Sequence, residues 1–349
     1  MRIAVCLVAA ALAGCAESPT EPPGGARSYR MGFAGLPPKP DQAVAVRALE
    51  AWTPRADVAI VHEELPWTEL LAGVAPDSIL RRTKDELIAY YRGKGLALVL
   101  VADANDGLIR GREAPGLRAA GRSIAEPSVQ RLYRDWILAF ARRYRPEYVG
   151  LAAETNLIRV AAPPALYQAV VAVANAAASD LAGLATRPRR FVSVQVETAW
   201  GKFTGQPYQG IEADFRDFPF IEVLGLSSYP YVVWAMPSDL PGDYYRRLLD
   251  GRTLGVLVVE GGWSSAGVGS QPSDPREQAD YFRRHASLLA TVDALAWIQL
   301  TPTDLDLATF PVELRDLLLP FARLGVLDTD LLPKPALAVW DSLFSRPRR

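Results

Sequence analysis

Glu154 and Glu260 are each the first charged residue after a short apolar run, YVGLAAE from Tyr148 and LGVLVVE from Leu254. Runs of that length, bounded by polar or glycine punctuation, read as buried strands. Two carboxyls delivered to the carboxyl ends of two strands of one parallel barrel can face each other across a cleft. One of them, held neutral, protonates a leaving oxygen. The other, ionised, attacks carbon, and in a retaining displacement at a glycosidic bond the two stand about 5 to 5.5 Å apart. An apolar strand end raises one pKa, and a nearby donor keeps the other low. Singly, either glutamate suits an ion pair with an arginine at a barrel rim just as well; their joint placement favours chemistry.

The elements that must position them repeat in order. Apolar or β-branched runs occupy 29–34, 57–62, 96–102 and 147–153, then 191–197, 222–228, 254–260 and 294–300. Helical stretches lie between them, clearest at 77–94, 126–144, 163–184, 274–291 and 335–344. Strand alternating with helix predicts a parallel sheet, and eight such units predict a single (β/α)8 TIM barrel over 29–349. A doubly wound dinucleotide fold is disfavoured. After the first strand, Gly32-Phe33-Ala34-Gly35 leads into Leu36-Pro37-Pro38 and not into a glycine-rich turn opening a helix.

Residues 1–14 read as a lipoprotein signal peptide: Arg2, an apolar stretch from Ile3 to Ala11, and Leu12-Ala13-Gly14 before Cys15, the expected lipidation site. Residues 15–28, with Pro19, Pro22, Pro23, Gly24 and Gly25, read as a tether. The chain is therefore expected in the bacterial cell envelope, held to a membrane through lipid on Cys15. The two cysteines, Cys6 and Cys15, both lie in this leader, so a disulfide or zinc-thiolate site in the remainder is excluded. A formal net charge of −1 supplies no basic field for nucleic acid.

Other side chains at strand ends could hold sugar hydroxyls: His62, Asp103, Asn156, Gln195 and Glu197, besides Glu63 and Asn105. Ser193, Gln195 and Glu197 share one face of the fifth strand by two-residue alternation, and Glu197 is the rival catalytic carboxyl. Five of the eight tryptophans, Trp67, Trp200, Trp234, Trp263 and Trp297, fall at or beyond strand ends. There an aromatic face can stack on a sugar ring. Trp52, Trp136 and Trp340 fall in helical stretches and are assigned to the core.

In these features the chain resembles glycoside hydrolase clan A, the retaining barrel enzymes with an acid/base on strand four and a nucleophile on strand seven. The seventh-strand turn Glu260-Gly261-Gly262-Trp263-Ser264 is similar to that of the endo-β-1,4-galactanase and endo-β-1,3-glucanase families. The resemblance implies Glu154 as acid/base and Glu260 as nucleophile. It also implies Tyr229, in the sixth-strand run LGLSSYPY, as the hydroxyl supporting the nucleophile, and Trp297 as the floor of the sugar site. The implied partner is a β-linked carbohydrate acted on by a monomer, with no cofactor and no metal. One residue departs from the pattern, since the clan usually carries asparagine before the acid/base and this chain has Ala153. That departure leaves a catalytically impaired carbohydrate-binding barrel as the alternative. Metal-dependent hydrolysis is disfavoured because the two histidines, His62 and His285, form no HExxH-type arrangement, and Ser227 and Ser228 lack the glycines of a nucleophile elbow.

Overall fold

A computed structural model describes residues 25–349; the signal peptide, Cys15 and most of the tether lie outside the described residues. Nine parallel strands form the sheet: β1 (Arg30–Ala34), β2 (Val58–Glu64), β3 (Ala97–Asp103), β4 (Tyr148–Gly150), β5 (Arg189–Phe191), β6 (Ser193–Gln195), β7 (Val223–Ser228), β8 (Gly255–Gly261) and β9 (Asp293–Gln299). Their order is β5-β4-β3-β2-β1-β9-β8-β7-β6. The two end strands are consecutive pieces of one run broken only at Val192, so nine strands occupy eight barrel positions. That run seals the ring on both sides. Ser193 N donates to Ala152 O (3.0 Å) on the fourth position, and Glu222 N and Gly225 N donate to Arg190 O (3.0 Å) and Val192 O (3.1 Å) at the sixth.

Phe191, beside the break, fills the barrel interior with its ring. A Cβ on Gly150 would lie 2.8 Å from that ring and one on Gly225 2.7 Å, so both flanking positions need glycine for space. Strand alternation divides the core. Val58, Ile60, Val99 and Val101 fill the inside, while Ala59, Leu98 and Leu100 pack outward against the helices. By the same parity His62 and Asp103 point to the barrel mouth.

The helical shell closely follows the expected stretches, with helices at Pro127–Tyr144, Pro164–Ala182, Pro275–Leu289 and Pro335–Phe344. Each begins on proline, whose fixed φ and missing N–H suit the first helical turn. The stretch expected at 77–94 is two helices, Pro76–Thr83 and Asp85–Gly93, meeting at Lys84, whose ammonium turns to Glu63 at the mouth. The fold also starts earlier than 29. Arg27 N donates to Pro347 O (2.9 Å), and its guanidinium bonds Asp57 Oδ2 and Tyr29 O, tying the amino-terminal end of the barrel to the last residues.

Candidate active site

A β-bulge aims Glu260. Along β8, Leu257 and Val259 belong to the barrel interior and Val256 and Val258 to the helix side, so simple alternation would turn Glu260 outward. The pairing with β7 instead jumps from Leu226↔Val258 to Ser227↔Glu260, giving β8 one extra residue at Val259. Bulges bend a strand and re-aim its side chains, and Val259 and Glu260 both line the cleft. The glycines that follow are required there. Gly261 (φ +147°) and Gly262 (φ +150°) adopt backbone conformations that side chains avoid, and a Cβ on them would collide with Ser228 O and the Gln299 amide.

Glu154 follows β4 and caps the helix Thr155–Ala161 with φ +53°, ψ +46°, a left-handed conformation uncommon outside glycine. Its N–H donates to Ser193 Oγ (3.0 Å), which fixes it to the fifth barrel position.

Between the two glutamates runs a chain of alternating charges. His62 Nδ1 stands 3.6 Å from Glu260 Oε2, and its Nε2 stands 3.1 Å from Asp103 Oδ2. Arg110, in the loop after β3, donates from Nη1 to Asp103 Oδ1 (2.6 Å) and from Nε to Glu154 Oε2 (2.8 Å). Burial opposes charge at His62, Asp103, Arg110 and Glu154. At His62 the Asp103 and Glu260 carboxylates outweigh it and push the imidazole up to about 9. At Asp103, Arg110 and His62 outweigh it and hold the carboxyl at about 2. At Glu154 burial prevails over Arg110, and the Glu260 charge adds to it, so this carboxyl rises to about 7.

Glu260 also accepts from Ser227 Oγ at 2.5 Å. Tyr229 lies against both glutamates. Burial first, then their charges and a hydrogen bond to Glu260, push its phenol well above the usual range. These groups open on a cleft of about 910 Å³ at the carboxyl ends of the strands, the face on which barrel sites are built.

His62, Glu154, Gln195, Tyr229 and Glu260 line the cleft together. Asp103 sits beneath them as the shared partner of His62 and Arg110. Asn156 and Glu197, expected to contact substrate, do not reach it. Asn156 is sealed against β6, exchanging two 2.8 Å hydrogen bonds with the Gln195 backbone. Glu197 is fully buried. Its Oε1 accepts from Tyr244 Oη (2.5 Å) and from Tyr229 N (3.1 Å), and its Oε2 from the Gln195 amide, so it fixes the backbone at Tyr229.

The expected tryptophan platforms are absent as well: among the described residues no tryptophan lines the cleft. Trp297 alternates outward between inward-facing Ala296 and Ile298 and stacks on His285 at 4.4 Å in the helix layer. Trp263 and Trp67 are buried, and Trp200 stacks on Tyr244 at 5.5 Å. Trp234 is half-buried under the Lys202 ammonium, 4.0 Å from the ring centre.

Sequence reasoning missed Arg110. Its one signal was position, in the loop directly after the strand that ends in Asp103. Among the described residues no His, Cys, Asp and Glu side chains are grouped to hold a metal ion.

By sequence the chain matches no protein-family model and none of the curated proteins. Solved structures do match its fold. An exo-β-1,4-mannosidase from Opitutaceae bacterium strain TAV5 superposes with a TM-score of 0.65 at 15% identity, over 92% of this chain and 60% of that one. GH5_18 from Streptomyces cattleya, in complex with GlcNAc, gives 0.61 at 16% identity, over 92% and 80%. Xylanase 10B from Thermotoga maritima gives 0.56 at 13% identity, over 91% and 95%. The chain thus has the barrel of glycoside hydrolases and spans 60% of the length of the mannosidase.

Proposed function

We propose that the barrel is a retaining glycoside hydrolase acting on β-linked sugars, with Glu154 as acid/base and Glu260 as nucleophile. One observation carries the reading: carboxyls ending the fourth and seventh barrel positions open on one cleft, and burial holds the Glu154 carboxyl up at about 7. In the first step Glu154 gives its proton to the glycosidic oxygen as the Glu260 carboxylate attacks the anomeric carbon. The carbon–oxygen bond to the leaving group breaks, and a glycosyl ester on Glu260 forms. In the second step Glu154 takes a proton from water, whose oxygen attacks the same carbon. The ester bond breaks, regenerating both carboxyls and releasing the sugar.

Tyr229 and Ser227 hold Glu260 in place for both steps, and His62 supplies positive charge beside it. Loss of a proton from Glu154 strengthens its pair with Arg110, which stabilises the carboxylate form that the second step requires. We place the protein in the cell envelope on the leader sequence, with Cys15 carrying the lipid.

The 2.8 Å Arg110–Glu154 pair and Ala153 favour a second reading, a barrel that binds carbohydrate but hydrolyses it poorly. Assays of residues 25–349 with Glu154→Gln and Glu260→Gln variants on a panel of β-linked substrates separate the two. Product release by the parent, lost in both variants, supports the hydrolase. Equal binding by all three without product release overturns it.

A further inference from the structure

The cleft walls are apolar and mostly aliphatic, with Phe203 and Phe321 among them. Leu108 and Ile109 directly precede Arg110, Leu157 stands three residues beyond Glu154, and Leu300, Leu305 and Leu318 line the cleft with them. At the mouth the apolar surface continues into solvent, with Leu36 38%, Leu108 46% and Phe203 48% exposed. The polar lining is largely engaged already. His62, Arg110, Glu154 and Glu260 are linked to one another, Glu63 pairs with Lys84, and the Gln195 amide is held by Thr198 N and Glu197. A site for an extended glycan needs many free hydroxyl partners, and this one has few, with no tryptophan among its lining residues.

We infer that the cleft takes a single sugar at the two glutamates and an apolar, aliphatic aglycone along the leucine wall; the inference rests on the hydrolase reading above. The position of the wall fits the chemistry. The leaving oxygen is the atom Glu154 protonates, so the aglycone extends on the Glu154 side, where Leu157, Leu108 and Ile109 lie. Covering their apolar surface at an open mouth with an alkyl chain is favourable, whereas a polyhydroxylated chain would lose water there without gaining hydrogen bonds.

The test uses binding and hydrolysis side by side. Calorimetry on residues 25–349 measures affinity for methyl, butyl, hexyl and octyl β-thioglycosides of glucose, galactose, mannose, xylose and N-acetylglucosamine, below their micelle concentrations. Thioglycosides keep the aglycone and resist cleavage, so binding is read independently of turnover; the matching O-glycosides and β-1,4-linked oligosaccharides report hydrolysis.

For the preferred sugar, affinity is expected to rise roughly threefold to fourfold per methylene buried. In Leu108→Gln/Phe203→Gln, two substitutions at exposed positions, that slope flattens while methyl-glycoside affinity is unchanged. A slope without hydrolysis of any O-glycoside upholds the aglycone site and overturns the hydrolase reading. Hydrolysis of oligosaccharides with no dependence on chain length overturns the aglycone site alone. A flat slope in the parent, or one equally steep in the double variant, also overturns it.

Discussion

Replacing Arg110 with methionine removes a cation that touches both Asp103 and Glu154, and it should act on stability and on proton affinity together. Arg110 and Asp103 are 6% and 4% exposed and joined at 2.6 Å, so the substitution leaves a buried carboxylate with His62 as its remaining cationic partner. Breaking a buried pair by removing one partner costs about 3–5 kcal/mol. At roughly 2 °C per kcal/mol, the lower end of the range for domains of this class, Tm should fall by about 6–10 °C. Removing the guanidinium also removes the influence that lowers Glu154, so that carboxyl should titrate above about 7. Carbon-13 NMR of labelled glutamate reads this directly when Arg110→Met is compared with Arg110→Met/Glu154→Gln. Adding Asp103→Asn to Arg110→Met takes away the carboxylate that lost its arginine partner, so the double variant should lose at least about 1 kcal/mol less than the sum of the single losses. Additive losses with an unmoved Glu154 titration would refute the charge chain as the device that sets the acid.

Three further outcomes are expected. Trp297→Ala should destabilise the fold by about 3–5 kcal/mol, because the ring fills the helix layer, and leave ligand affinity unchanged; a variant of parental Tm with weakened binding contradicts this placement. His62 is raised from its ordinary 6.5 to about 9, so its contribution is fully present below pH 6.5 and lost as pH rises through about 9. Urea unfolding of the parent and His62→Gln should therefore show a gap at pH 6 that closes by pH 10, and a constant gap contradicts the pairing. Gly262→Ala meets the Gln299 side chain at φ +150° and should cost about 2–4 kcal/mol from overpacking and strain. A Tm within 1 °C of the parent speaks against the need for glycine there.

Strand positions were legible because barrel strands are buried on both faces and leave continuous apolar runs, each ended by a polar or glycine residue. Helix starts were legible through the prolines at 127, 164, 275 and 335. The details that decide orientation were not. LVVE reads the same with or without a bulge at Val259, although the bulge alone turns Glu260 to the cleft. The run AWIQL does not say which of Trp297 and its neighbours faces inward; pairing with β1 and β8 decides that. Arg110 owes its role to contacts across loops, and no spacing along the chain announces such contacts. The strand ends located the two carboxyls but misled about the tryptophans, as did the resemblance at Trp297, since sugar platforms are local side-chain choices laid on a common barrel.

The interrupted fifth position has a dynamic consequence. Its neighbours hold it through β5 and β6 of three residues each, against seven-residue strands on the opposite side of the ring at β2, β3, β8 and β9. Local opening begins where the fewest backbone bonds must break, so amides of 189–195 should exchange with solvent before those of β8. Ser193, the anchor of the Glu154 backbone, lies within that stretch, whereas Glu260 rides on a long strand. Breathing of the ring would then loosen one carboxyl and leave the other fixed, making the proton-carrying side of the cleft the compliant side.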